Sequence, residues 1–367
     1  MNAAAAARSV SWASLFVKLG HQVTVFTSCD AQSEKRNLVR SCFRTPDNRA
    51  SVAKRFIQEI CLGLDLAFRI MLKAKNTEVN LITSPPFFMA ALCAFASRLV
   101  GIPYVFDVRD RYPNVLFELG LLSRKGWPGR ILLVLEKTIY ESSLFVSTVT
   151  KGLVVDLSAI TGERDTFLSF NGYAEKAFRD EILSNSEFPR FTVVYHGRLG
   201  RFYDLDVLCE VIKILEQVEP NIRFLMIGDL PLLKAGESWE TVDFMDEMPL
   251  MDLAQVLARC HIGICLLKET DAMRKAMPAK TFDFIGAGLP MIVSPGGELL
   301  ETVTKDDMGI GFTKNDPQKI AQAIVELYQS NTRLTKLKKK VLLARSRYGR
   351  NRQAKGLLEK ISREIIS

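Results

Sequence analysis

The chain is poor in the residues on which several large protein classes depend. Its 367 residues include three histidines, His21, His196 and His261, with no pair at metal-ligand spacing, and no clustered carboxylates, so no metal centre is expected. Its seven cysteines are odd in number and include no Cys-x-x-Cys, which fits a reducing compartment better than a disulfide framework. No uninterrupted apolar stretch reaches the roughly 18 residues that span a bilayer. The opening MNAAAAARSVSW has no charged region, apolar region and cleavage site of an export signal. A cytoplasmic protein is expected. Also missing is the strand and Gly-rich turn with which a nucleotide-type half normally begins, before its first helix.

What is present is globular, with 48% hydrophobic and 25% charged residues. The length is too great for one ordinary core, so two domains are expected. The net charge of +8 is uneven. Residues 1–75 carry +7 and residues 333–367 carry +10, which leaves −9 for the middle. Such polarity favours a surface that meets an anion: membrane lipid, a phosphorylated substrate or nucleic acid. Solvated helix faces with a lysine excess are the plainer alternative.

Taken in order, Ala3 to Leu19 reads as a helix and QVTVFTS, 22–28, as a strand. The basic segment 30–51, with Arg36, Arg40, Arg44 and Arg49, reads as a mobile loop. A helix over 52–75 has Phe56, Ile60, Leu64, Ala67 and Met71 on one face, for packing on a sheet or lying on a membrane. Strands at 79–84 and 104–108 flank a helix at 87–99, the pattern of a parallel sheet. A helix at 130–142, a strand at 144–150, another helix and a strand at 166–170 complete a first domain. Its strand ends place Ser84, Asp107, Arg109, Asp110 and Asn171 at the carboxyl edge, where such sheets bind ligands. An internal salt bridge of Asp107 or Asp110 with Arg109 is the structural alternative.

The polar stretch 175–190 reads as a linker between a domain over 1–174 and one over 191–345, with a terminal helix in 346–367 crossing back to the first. The second domain alternates strands at 192–197, 222–228, 241–245 and 261–267 with helices at 204–217 and 251–259. KAMPAKTFDFIGAGLPMIVSPGGE, 275–298, then reads as a short helix entered from Pro278 and ended near Gly286 and Gly288, a buried strand, and a glycine turn feeding a helix at Glu298. The N–H groups near Ala279, Lys280 and Thr281, and those of the glycine turn, suit an anion. Lys280 brings a positive head, and Asp283 an acceptor for a hydroxyl. Another strand ends in His196-Gly197-Arg198-Leu199-Gly200, where glycine permits close approach and Arg198 can donate twice to phosphate. Gly228, Asp229 and Met245 end the neighbouring strands, where a base or ribose would lie. Lys268 and Glu269 read as an exposed charged loop.

GHQVTVFTS at 20–28, DVRDRYP at 107–113, NG at 171–172, His196 to Leu208 and Lys275 to Glu298 together resemble the retaining, nucleotide-sugar-dependent glycosyltransferases of family 4, and within them those that build bacterial surface polysaccharides such as capsule, O-antigen and exopolysaccharide. The resemblance implies an α/β GT-B fold: two Rossmann-like domains facing a cleft, the first for an acceptor and the second for a UDP- or GDP-sugar, with no separate cofactor. With the residue reading above, donor contacts are expected at Gly197, Arg198, Gly200, Arg201, Gly228, Asp229, Met245, Ala279, Lys280, Thr281 and Asp283; the resemblance assigns Arg198 to the departing diphosphate, and Lys280 at its helix start is expected to join it. The resemblance further implies a lipid-linked or oligosaccharide acceptor and peripheral contact with the anionic cytoplasmic face of the inner membrane, but no nucleic acid. The family's Glu-x7-Glu pair falls on Lys275 and Asp283, which reverses one charge. Its diphosphate-binding Arg and Lys fall on Arg198 and Tyr203, which removes the second cation and leaves Arg201 or Lys280 to replace it. The family's first strand would precede Ala3. An inactive nucleotide-sugar-binding relative and an epimerase or phosphorylase of the same fold remain as alternatives.

Overall fold

The computed structural model describes residues 3–30, 37–47, 50–118, 120–162, 165–184, 186–198, 200, 202–230 and 239–366. Arg36, Arg49 and Arg201 lie outside these residues. The chain divides into two compact units, 1–170 with 354–367, and 171–353.

In unit 1, α1 (Ala3–Lys18) precedes β1 (Val25–Thr27), β2 (Leu38–Arg40), α2 (Val52–Leu72), β3 (Asn80–Ser84), α3 (Phe87–Leu99), β4 (Tyr104–Val108), α4 (Asn114–Glu118), α5 (Trp127–Glu141), β5 (Val146–Thr148), α6 (Lys151–Thr161) and β6 (Thr166–Leu168). The parallel sheet β3-β4-β5-β6 is separate from the two-stranded parallel sheet β1-β2. β2 corrects the reading of 30–51 as loop: Val25, Phe26 and Thr27 pair with Leu38, Val39 and Arg40. A strand of three residues is too short for alternation to reveal.

Period-two alternation along YVFDV explains how the sheet is covered. Tyr104, Phe106 and Val108 point into a core shared with α2, α3, α5 and α6. Val105 points the other way, into a core with Trp12 and Phe16 of α1 and with Ala354, Leu357 and Ile361. The packing face of α2 is not the expected one. Leu62, Leu66 and Ile70 are buried, and Gly63 lets α3 approach so closely that a Cβ there would lie 2.7 Å from Leu92. The Phe56–Leu64–Met71 stripe is instead turned outward, with Leu64 and Phe68 more than half exposed at 56% and 57%.

Unit 2 holds β7 (Thr192–His196), α7 (Leu205–Val218), β8 (Arg223–Ile227), β9 (Val242–Met245), α8 (Leu250–Ala258), β10 (Ile262–Leu266), α9 (Asp271–Arg274), α10 (Ala279–Gly286), β11 (Met291–Ser294), α11 (Glu298–Lys305), β12 (Gly309–Gly311), α12 (Pro317–Gln329) and α13 (Asn331–Arg345). The sheet is parallel, in the order β12-β11-β10-β7-β8-β9, with the strand order reversing at β7. Crossovers in parallel sheets leave ligands at carboxyl strand ends beside such a reversal. α14 (Arg350–Ile366) begins in unit 2 and continues into unit 1. Residues 175–190 are no free linker, because Ala177, Phe178 and Ile182 are buried and Arg345 of α13 bonds the Phe178 carbonyl and Asp180. The boundary falls at 170/171 instead. Among the described residues no helix is long and apolar enough to cross a membrane.

Candidate functional site

The carboxyl end of β7 is where unit 2 gathers its ionisable groups. Gly197 continues the strand by donating its N–H to the Ile227 carbonyl at 2.8 Å, then turns with φ +92°. Gly228 does the same at the end of β8, with φ +127° and its N–H on the Met245 carbonyl at 2.9 Å. A Cβ on Gly228 would stand 2.8 Å from the Gly197 carbonyl oxygen, so both strand ends require glycine. Facing them is α10. Pro278, its N-cap, supplies no capping side chain, so the first-turn N–H groups of Ala279 and Lys280 have no side-chain acceptor. The Thr281 N–H, expected among the anion donors, instead donates to the Pro278 carbonyl at 3.1 Å, and its hydroxyl donates to the same carbonyl at 2.5 Å.

Lys280 is 6% exposed. Its ammonium lies 3.5 Å from the centre of the Tyr195 ring and 3.8 Å from that of Tyr203, and among the described residues Nζ has no hydrogen-bond partner. Burial drives its pKa down to about 7, against the Cys265 thiol and Asp283, which hold it up. Burial likewise drives Asp283, three residues along the same helix, up to about 7, with Arg350 of α14 and then Lys280 holding it down. His196 is pushed down to about 3 by burial and by Lys280. Its Nε2 lies 3.7 Å from Asp283 Oδ2, a contact of a neutral imidazole rather than an ion pair. The lysine expected as a simple positive head is thus poised to gain or lose a proton near neutrality.

The other expected donor residues are arranged around this group. Arg198 is exposed, and its carbonyl accepts from the Tyr195 hydroxyl at 3.2 Å and from the Gly200 N–H at 3.1 Å. Asp229 is exposed beyond Gly228; Met245 ends β9 with 38% of its surface open. Lys275 is exposed at the end of α9. The glycine turn before α11 differs from the α10 end, because Glu298 is buried in its first turn and already sets a carboxyl beside those N–H groups. Gly297, at φ +141°, would carry a Cβ 2.3 Å from the Arg274 carbonyl oxygen. Glu269 does more than expected of a charged loop: its carboxylate receives the Asn315 N–H at 2.6 Å.

In unit 1 the expected acceptor set separates. Strand register places Thr83 and Ser147 on either side of Asp107, and their hydroxyls donate to its carboxylate at 3.1 and 3.0 Å. Arg8 of α1 completes the set at 3.3 Å. Asp107 is fully buried and committed to that network, with Arg8 and not Arg109 as its cation. Ser84 is also buried, its carbonyl taken by the Arg109 N–H at 3.1 Å. Arg109 donates to the Pro85 carbonyl at 3.3 Å, and Asp110 is exposed at the sheet edge. Asn171, three residues beyond the end of β6, is the first residue of unit 2.

Tyr195, Tyr203, Cys265 and Arg350 were not among the expected site residues. Tyr195 alternates inward on its strand like any core residue, and Tyr203 registered only as a missing lysine. Nothing in the sequence joins Arg350 to Asp283 across 66 intervening residues.

Two family models match the chain: a glycosyl transferase 4-like domain over residues 4–166 and glycosyl transferases group 1 over residues 190–330. A probable glycosyltransferase of Pseudomonas aeruginosa, WbjE, is 19% identical over 305 residues, 78% of this chain and 76% of that protein. Among solved structures, HepE of Anabaena in complex with UDP superimposes with a TM-score of 0.63 at 15% identity, covering 93% of this chain and all of that one. WaaG, described as a glycosyltransferase involved in lipopolysaccharide biosynthesis, gives 0.68 at 13% identity over 95% and 94% of the two chains.

Proposed function

We propose, from the premise that this chain is a GT-B-fold glycosyltransferase related to family 4 and to the enzymes of bacterial surface polysaccharides, that unit 2 binds a UDP- or GDP-sugar and passes the sugar, with retention, to an acceptor hydroxyl. The observation that carries this reading is the Lys280 ammonium, buried without a hydrogen-bond partner beside two glycine-ended strands. Buried polar groups are normally satisfied, and a diphosphate oxygen is the acceptor that such a strand-end site fits. The UDP in the HepE structure supports the same reading.

The chemistry follows from the leaving group. As the anomeric C–O bond to the diphosphate breaks, negative charge grows on phosphate and oxocarbenium character on the sugar. Lys280, Arg198 and the uncapped N–H groups of α10 stabilise the phosphate. Asp283 accepts from ribose hydroxyls. The new bond forms from the acceptor oxygen to the same face of the sugar, and the departing phosphate oxygen takes the acceptor's proton. No metal is invoked, since the cations and N–H groups supply the positive charge. Unit 1 takes the acceptor, a lipid-linked saccharide of cell-surface polysaccharide assembly, with Arg109 and Asp110 as its available polar groups. The outward apolar residues of α2, joined by Phe95 and Leu99 of α3 at 61% and 64% exposure, support peripheral contact with the cytoplasmic face of a membrane.

The test is a donor screen with UDP- and GDP-sugars, with Arg198→Ala as the control and NMR assignment of the product anomer. Retained configuration and an affinity for UDP or GDP weakened at least about tenfold by Arg198→Ala are expected. An inverted product, or unchanged affinity, overturns the assignment.

A further inference from the structure

The Lys280 ammonium has two partners of an unusual kind, both aromatic faces. The Tyr195 and Tyr203 ring centres are 5.8 Å apart and the rings stand at 88°, so they form a corner, and Nζ sits within 3.5 and 3.8 Å of the two centroids. Both rings are fixed. Tyr195 is 2% exposed in the unit 2 core, and its hydroxyl donates to the Arg198 carbonyl at 3.2 Å. Tyr203 packs against the same core, donates its N–H to the Gly200 carbonyl at 3.1 Å and bridges to Leu267.

We propose that Tyr195 and Tyr203 are positioning residues of the donor site, a two-ring corner that holds the Lys280 ammonium for a diphosphate oxygen without occupying any of its N–H donors, with the Tyr195 hydroxyl setting the Arg198 loop in register with it. The inference rests on the reading of Lys280 as a diphosphate ligand. A carboxylate in place of a ring would hold the lysine equally well, but it would use the N–H groups and cancel the charge that phosphate must meet. A ring face attracts the cation through its quadrupole and accepts no conventional hydrogen bond. The charge is therefore steadied while its donors remain unpaired among the described residues. The position that the family resemblance assigns to a second diphosphate-binding cation is Tyr203 itself. The ring there receives the head of a lysine carried on α10, so the cation comes from a different element to nearly the same place.

Donor binding should then be coupled to the protonation of Lys280. The groups facing it are Tyr195 and His196 of β7, Tyr203 of the following loop, Cys265 of β10, and Asp283 of α10 with Arg350 of α14 beyond it. Burial holds the Cys265 thiol up at about 11 and leaves His196 neutral. Lys280 and Asp283 are thus the members whose pKa values are brought to about 7, and they serve different parts of the nucleotide: the ammonium that meets phosphate is lost as pH rises, and the carboxylate that accepts from ribose is lost as pH falls.

The experiment is calorimetric titration of the full chain with UDP between pH 6 and 9, for the wild type and for Lys280→Ala, Tyr203→Phe, Tyr203→Leu and Tyr195→Phe. The wild type should lose affinity as pH rises through about 7, with proton uptake on binding. Lys280→Ala should bind at least about tenfold more weakly and lack that alkaline limb. Tyr203→Phe keeps the ring and should stay within about twofold. Tyr203→Leu keeps an apolar group without the ring and should weaken UDP by about tenfold and shift the alkaline midpoint downward. Unchanged UDP binding by Lys280→Ala would overturn the diphosphate assignment. A weakened Lys280→Ala with Tyr203→Leu indistinguishable from Tyr203→Phe would overturn the corner and leave that assignment standing. If Tyr203→Leu does not fold, Tyr195→Phe decides: it keeps both rings and frees the Arg198 loop, so affinity should fall several-fold with the alkaline midpoint unmoved. Unchanged affinity or a displaced midpoint overturns the proposal.

Discussion

Lys280→Met removes a charge from the interior of unit 2 while keeping nearly the same chain length, and it should make the empty protein more stable and the donor site worse. The ammonium's pKa falls from 10.5 to about 7, and at about 1.4 kcal/mol for each pH unit the buried charge costs the folded state on the order of 5 kcal/mol at or below pH 7. Methionine forgoes a cation–ring attraction of about 2 kcal/mol and regains about 1 through its sulfur against the same rings. The shift arises from burial against Cys265 and Asp283 and includes no ring contribution, so the lost ring attraction and some imperfect packing both come off it, and a net stabilisation of about 2 kcal/mol at pH 6.5 is expected. For a unit of this size that is a rise in Tm of about 4–8 °C. The sign has a pH signature. Between pH 7 and 10.5 the unfolded chain binds the proton that the folded chain has released, so wild-type stability climbs with pH relative to the variant. By pH 9 the wild type regains about 2.5 kcal/mol of the charge cost, so the gap should be largest at pH 6.5 and close to zero at pH 9. Differential scanning fluorimetry at both pH values, with and without millimolar UDP, reads all of this at once. A lower Tm for Lys280→Met at pH 6.5, an equal gap at the two pH values, or undiminished protection by UDP would refute the reasoning.

Asp107→Asn should destabilise unit 1 by about 3 kcal/mol, because Arg8 is left buried without its counter-charge, while UDP affinity stays unchanged; a normal melting curve would mean that Arg8 finds another acceptor. With its pKa raised to about 7, Asp283 offers a carboxylate to ribose only on the alkaline side, so UDP affinity should fall as pH drops below 7 in the wild type and stay flat in Asp283→Asn, measured by the same calorimetry. The paired change Leu64→Glu and Phe68→Glu, on the outward face of α2, should abolish co-sedimentation with anionic vesicles and leave transfer to a soluble acceptor analogue within about twofold; equal sedimentation would remove α2 from the contact.

Most of unit 2 could be read from the sequence because its signals are local. Pro278, Gly286 and Gly288 bound α10, and Pro295 to Gly297 bound β11, by rules that act within a few residues. Periodicity along 52–75 revealed a helix but not its orientation. Apolar residues occur on both sides of α2, and the choice between them is made by Gly63, whose missing side chain admits α3. The 175–190 segment shows the same limit. Its polar composition resembles a linker, yet Phe178 and Ile182 bury themselves and its backbone is bonded by an arginine more than 160 residues away. Asp107 was legible as an acid at a strand end, whereas its commitment to Arg8, Thr83 and Ser147 depends on which face of β4 it takes and on what covers that face.

The two departures from the family pattern have different physical standing once the side chains are in place. Tyr203 in place of a lysine is a loss on paper, but its ring lies under the ammonium of Lys280, so the net cation count near the strand ends is maintained by a residue on another element. Lys275 in place of an acid is a different case. It ends α9 on the exposed side, and the buried carboxyl nearest in sequence on the glycine-turn side, Glu298, belongs to the first turn of α11. If Lys275 stands where the family resemblance places the sugar-side acid, the proposed donor site should keep the nucleotide and change the sugar. Specificity among donors should therefore respond to Lys275→Glu through the sugar's KM and kcat, with the affinity for free UDP or GDP unaltered. If Lys275→Glu shifted the affinity for the free nucleotide as strongly as that for the sugar nucleotide, the division between the two halves of the donor site would be wrong.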